Sequence, residues 1–183
     1  MALLNILTDE NPRLRLKSKK IEKFDKNLRQ LAQDMLDTME DAGGIGLAAP
    51  QVGALQRLIV IDIPAELEFE GSQAFRAVVV NPEIIKSSGE EVGEEGCLSV
   101  PGWYGDVKRY YAVTVRGRDV SGREVRIKTQ ALPARCLQHE IDHLDGIIFT
   151  DVIVDAASLH KVKPADEEEK TAKANTRELV KVI

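Results

Sequence analysis

The sequence has few aromatic residues (4%, with one tryptophan), two cysteines, three histidines and no long apolar run. Two thiols make no disulfide framework and point toward metal binding or catalysis instead. No stretch approaches the roughly 20 apolar residues of a membrane span. Residues 1–10 lack a basic leader and hold only a short apolar stretch, so they do not read as a secretory signal. A basic excess is missing too: 25 Lys+Arg face 30 Asp+Glu, for a net charge of −5. That balance argues against a nucleic-acid backbone as the main ligand. The absence of a transit-like segment suggests a bacterial-type cytoplasm, although a processed organelle protein would read the same.

What remains is an ordinary globular composition, 43% hydrophobic and 30% charged over 183 residues. About 70% of the extended surface can be buried at this length, so a core needs no staples. We expect one catalytic domain over residues 1–155 and a polar extension over 156–183. Acidic and basic residues nearly balance in that extension, which predicts no strong RNA contact.

Asp25 sits where a helix N-cap belongs. Leu28, Leu31, Ala32, Met35, Leu36 and Met39 then recur on one face until Gly43-Gly44, which predicts a helix over 26–41. Gly44-Ile-Gly-Leu-Ala-Ala-Pro-Gln51 reads as a glycine-punctuated loop, and Glu94-Glu-Gly-Cys-Leu-Ser-Val-Pro101 as a second loop-like block. Strands are expected over 58–63, 77–80, 83–86, 107–116 and 124–129, with a hairpin turn at Ser121-Gly122. A second helix should begin at Pro133 and end near Gly146. Without βαβ alternation, this order reads as α+β: mainly antiparallel sheets around a central metal-binding helix, with an N-terminal helix.

The chemistry is concentrated in His139-Glu-Ile-Asp-His143. Residues four apart share a helix face, so both imidazoles can reach one divalent ion while Glu140 sits beside it. The ordinary alternative is two partly exposed histidines on an amphipathic helix. A catalytic site of this kind takes three protein ligands. The extended motif of one zinc-peptidase clan would place a third histidine where Phe149 stands, so that clan is excluded. His160 lies in the polar tail and reads as a solvated surface residue. The third ligand is then a carboxylate or a thiol, Cys97 being a candidate. Cys136, one turn before His139, should line the cavity near the ion. Asp142 and Asp145 read as solvated helix carboxylates, and Trp103 and Tyr104 as rim or packing aromatics.

Taken together, Gly44-Ile-Gly-Leu-Ala-Ala-Pro-Gln51, Glu95-Gly-Cys-Leu-Ser99 and Gln138-His-Glu-Ile-Asp-His143 resemble the three signature motifs of the peptide deformylases, in the family's order. The resemblance covers residues 11–152. It implies that Cys97, His139 and His143 bind the metal and that Glu140 is the general acid/base. It also implies that the Gln51 side chain and the Leu98 N–H stabilise an oxyanion. Gly44, Ile45, Gly46, Glu95, Arg135 and Cys136 would contact substrate. The implied cofactor is one Fe2+, with Zn2+, Ni2+ or Co2+ able to replace it; a mixed sulfur and nitrogen site suits such ions rather than magnesium or calcium. The implied reaction removes formate from the N-terminal formylmethionine of new polypeptides. Two other readings stay open on the residues alone: a zinc endopeptidase of another clan, and a non-catalytic, metal-stabilised peptide-binding protein.

Overall fold

The computed structural model describes residues 3–65, 67 and 74–162. Among the described residues it is α+β, with two antiparallel sheets and two α-helices. The five-stranded sheet runs β1 (Gly46–Ala48), β2 (Leu58–Ile63), β3 (Phe75–Ser88), β6 (Ala112–Arg118) and β7 (Glu124–Gln130) in the order β1-β2-β3-β6-β7. The smaller sheet holds β4 (Glu91–Cys97), β5 (Val100–Arg109) and the short β8 (His160–Lys161).

Strand alternation explains how the helices flank the larger sheet. Ile59, Ile61 and Ile63 point to one face of β2 and pack with Leu137, Ile141 and Leu144 of α2 (Ala131–Leu144). Leu58 and Val60 point to the other face and meet Leu28, Met35 and Met39 of α1 (Lys26–Asp41). A strand buried on both faces reads as a continuous apolar run, which is what Leu58-Ile-Val-Ile supplies. A third cluster, with Leu14, Cys97, Val100, Val107, Ile148 and Phe149, sits under the smaller sheet.

Helix α1 spans 26–41 as the periodicity predicts, its first turn capped by the Asp25 carboxylate on the N–H groups of Asn27 and Leu28. Helix α2 starts two residues earlier than expected, so Pro133 is its third residue. Its missing N–H still falls among the first-turn donors that have no intrahelical partner. At the other end Gly146 adopts φ +78°. Its N–H donates to the His143 carbonyl and that of Ile147 to the Asp142 carbonyl, a paired C-terminal lock.

Four local expectations are corrected. Part of the glycine-punctuated segment is strand β1, paired with β2 through Gly46↔Ile61 and Ala48↔Ile59. Residues 91–97 form β4 and β5 begins at Val100, so the second loop-like block is strand on both sides of a tight turn at Leu98-Ser99. The expected strands 77–80 and 83–86 are one strand, β3, whose register shifts at Asn81-Pro82. There Asn81 takes φ +51° and its side-chain amide pairs with both backbone groups of Ile21. Finally, the expected strand 107–116 is two strands, broken at Tyr110-Tyr111. The Gln138 side chain accepts from the Tyr110 N–H (2.9 Å) and donates to its carbonyl (2.8 Å), so the helix takes the place of a neighbouring strand.

Of the expected extension, residues 156–162 follow the smaller sheet, where His160 and Lys161 pair with Tyr104 and Trp103. Residues 163–183 lie outside the described part. Among the described residues no helix is long and apolar enough to cross a membrane.

Candidate active site

Helix α2 presents His139, Glu140 and His143 to the interior, all essentially inaccessible to solvent. The end of β4 brings Cys97 to the same point. The ligand atoms of Cys97, His139 and His143 all lie within 4.8 Å of one another. Cys97 Sγ is 3.2 Å from His143 Nε2, which is 3.2 Å from His139 Nε2. The His139 ring also stacks on Phe149, the residue standing where another clan's third histidine would be.

The second carboxylate of the site fixes the first imidazole. Glu95 Oε2 accepts from His139 Nδ1 at 2.9 Å, which leaves the Nε2 lone pair directed at the cluster. Glu95 is fully buried and receives Arg109 through Nε (2.9 Å) and Nη2 (3.0 Å), and Arg135 Nη1 at 2.9 Å. Burial alone would raise its pKa, but the hydrogen bonds from His139 and Arg109 prevail and hold the carboxyl well below the usual range. Glu95 and Arg135, expected in a substrate pocket, are held in this network of hydrogen bonds. Every polar atom of Glu95 is spent on neighbours, and the Arg135 guanidinium reaches the carbonyls of Glu91, Gly93 and Val107. Asp142, expected to be solvated, accepts from Arg109 Nη1 at 2.5 Å. Asp145 pairs with Arg57 at 2.9 Å.

Glu140 is the opposite case. Both of its oxygens are buried and have no hydrogen-bond partner. Burial, then the nearby Glu95 charge, pushes its pKa well above the ordinary carboxyl value. Backbone packs closely against it: a Cβ on Gly46 would lie 2.5 Å from Glu140 Oε1 and 2.8 Å from Cys136 Sγ. Cys136 is buried beside the Ile45 carbonyl and stands outside the ligand cluster.

Gln51 is fully buried and its side chain faces the site. Its oxygen accepts from the Ala48 N–H at 2.7 Å, which turns Nε2 toward Cys97 Sγ (3.5 Å) and Ser99 Oγ (3.2 Å). Leu98 follows Cys97 in the β4–β5 turn, and its side chain occupies the space a Cβ on Gly44 would take. A cavity of about 180 Å³ borders Cys97 and Leu98, with Pro101, Trp103 and Tyr104 on its other walls. His160 lies away from the cluster, exposed and stacked on Tyr104.

The residues fit a metal ion. One sulfur and two imidazole nitrogens converge in a buried space, and a partnerless carboxylate stands alongside. Burial pushes the Cys97 thiol up and holds His143 well below its ordinary value, so a cation is what would stabilise the thiolate form. Sequence reasoning missed Arg109. Its signal was faint: an arginine on the same face of a strand as buried Val107.

Comparison with known proteins gives the family. The family model for polypeptide deformylase matches residues 3–158. A peptide deformylase of Thermomicrobium roseum is 52% identical over 176 residues, covering 96% of this chain and 99% of that protein. The structure of a peptide deformylase from Ehrlichia chaffeensis in complex with actinonin superposes with a TM-score of 0.80 at 37% identity, covering 97% of this chain and all of that one. One from Synechococcus elongatus, also with actinonin, gives 0.77 at 40% identity over 85% of this chain and 81% of that one.

Proposed function

The chain belongs to the peptide deformylase family, and from that premise we propose which of its residues carry out the reaction. The enzyme is a hydrolase that removes the formyl group from N-formylmethionyl polypeptides, and its family is metal-dependent. This decides against the endopeptidase and the non-catalytic binding protein.

Cys97, His139 and His143 would hold one divalent ion, for which we take Fe2+, with Zn2+, Ni2+ or Co2+ as substitutes. When bound, the ion supplies Lewis acidity that brings the pKa of a water from 15.7 down to about 7. Glu140 takes the proton of the attacking water as its oxygen bonds to the formyl carbon. When the carbon–nitrogen bond breaks, Glu140 returns that proton to the departing amine, leaving formate and a free N-terminus. A buried carboxylate with no other partner is suited to this exchange. The Gln51 amide and the Leu98 N–H would face the negative charge that builds on the formyl oxygen.

β1 is the edge strand of its sheet, so the peptide can add beside Ile45 and Gly46 through backbone hydrogen bonds, which tolerates varied sequences. Gly44 and Cys136 would border the methionine side chain. Glu95 and Arg135 act from behind the ligands instead of touching substrate. We place the enzyme in a bacterial-type cytoplasm, acting on nascent chains with at most a transient ribosome contact. We take residues 1–155 as the catalytic domain.

The convergence of the Cys97, His139 and His143 ligand atoms beside partnerless Glu140 carries this reading. Protein purified without oxygen should release formate from formyl-Met-Ala-Ser and leave its internal bonds intact. Internal cleavage, or no formate, rejects it.

A further inference from the structure

The N-terminal segment carries none of the three motifs, yet it touches each motif's segment in turn. The Leu7 N–H donates to the Gln51 carbonyl at 2.7 Å, and the Asp9 N–H to the Ser99 carbonyl at 2.8 Å. Farther along, the Ser18 N–H donates to the Leu144 carbonyl at the end of α2, at 2.8 Å. There a Cβ on Gly146 would lie 2.5 Å from the Arg15 carbonyl oxygen. Side chains follow the same path. Leu4 and Ile6 pack against the cluster holding Leu47 and Ala49, while Leu7 and fully buried Leu14 pack against the one holding Cys97 and Phe149.

Gln51 and Leu98 come from different sheets. Gln51 follows β1 on the edge of the larger sheet, and Leu98 follows β4 in the smaller one; β1 and β4 do not pair. Across that junction Gln51 Nε2 reaches Cys97 Sγ at 3.5 Å and Ser99 Oγ at 3.2 Å. Leu7 and Asp9 are two residues apart, and two residues of extended chain span at most about 7 Å. The carbonyls of Gln51 and Ser99 are thus tied to one short piece of chain.

We propose that residues 4–18 form a positioning strap, in which the N–H groups of Leu7 and Asp9 set the gap between Gln51 and Leu98. The inference rests on the oxyanion role given to that pair above. Because the strap works through backbone donors, its side-chain pattern carries no trace of the role.

The test exchanges single backbone N–H groups for ester oxygens in the full chain, at Leu7, at Asp9 and, as a control, at Asn11. The Asn11 N–H bonds only the Thr8 carbonyl, within the strap itself, at 2.8 Å. Turnover of formyl-Met-Ala-Ser is read with the melting temperature and the absorption spectrum of the cobalt-loaded protein. The Leu7 and Asp9 esters should lose kcat by about 10- to 100-fold, with KM and the cobalt spectrum kept. The Asn11 ester should lose comparable melting temperature and keep its kcat. Unchanged kcat at both positions overturns the proposal, as does an equal loss at Asn11. Loss of the cobalt spectrum along with kcat also overturns it, because the strap would then serve folding alone. Failure of the unmodified protein to release formate would strike the proposed function instead, before any ester is compared.

Discussion

Glu95 Oε2 lies 2.9 Å from His139 Nδ1, and the same oxygen receives Arg109 Nη2 at 3.0 Å from the other side. The imidazole is therefore oriented by a carboxylate that is itself clamped by a guanidinium. Arg109 also binds Asp142, next to His143 in the chain, so one side chain on β5 ties the Cys97-bearing strand to the helix with both histidines. Replacing Glu95 by Gln keeps the shape and removes the charge. Metal affinity should fall about 10- to 100-fold, measured by competition with a chelator. An unchanged affinity would show that His139 needs no carboxylate behind it.

The same carboxylate predicts an acid limb of stability. Its folded-state pKa lies well below 4.5: burial works upward, and the bonds from His139 and Arg109 more than offset it. A depressed carboxyl contributes stability that is complete above its unfolded pKa and drains away as pH falls toward the folded value. Metal-free protein should lose melting temperature steeply below about pH 4.5, and Glu95→Gln should flatten that limb. Parallel limbs in the two proteins would contradict this.

How much of this was legible beforehand depends on how local the cause is. Helix 26–41 was readable because Asp25 and the apolar stripe from Leu28 to Met39 lie within the helix they specify. Strand β1 was not, because Gly46 is glycine for the sake of Glu140 and Cys136, some 90 residues on, and a glycine among small residues looks like loop. The break at Tyr110 was hidden for the same reason: its cause is Gln138. At the site, the His139–His143 spacing pointed to a metal, whereas Cys97 was one candidate among thiols and carboxylates until likeness of motif singled it out. Arg109 went unread, as its partners lie 14 and 33 residues away.

Glu140→Gln isolates proton transfer. The amide keeps the volume and cannot take a proton, and neither Glu140 oxygen is needed by a neighbour. Metal content should stay at one ion per chain while turnover falls about 10²- to 10⁴-fold. Turnover near the original rate would remove Glu140 from the mechanism.

Gly46→Ala tests the close approach of β1. The added Cβ would meet Glu140 Oε1 at 2.5 Å and Cys136 Sγ at 2.8 Å, inside a buried site with little room to yield. Displacing the acid/base group by even an ångström can cost about 10²-fold in rate. We expect kcat to fall on that scale in a protein that still melts cooperatively; full activity would show that Glu140 does not need its present position.

X-ray absorption at the edge of the bound metal reads the ligand set directly. In zinc-loaded protein we predict one sulfur neighbour at about 2.3 Å and two imidazole nitrogens at about 2.0–2.1 Å, with the sulfur shell lost in Cys97→Ser. A spectrum of nitrogen and oxygen alone in the unaltered protein, or a sulfur shell that survives loss of Cys97, would contradict the account.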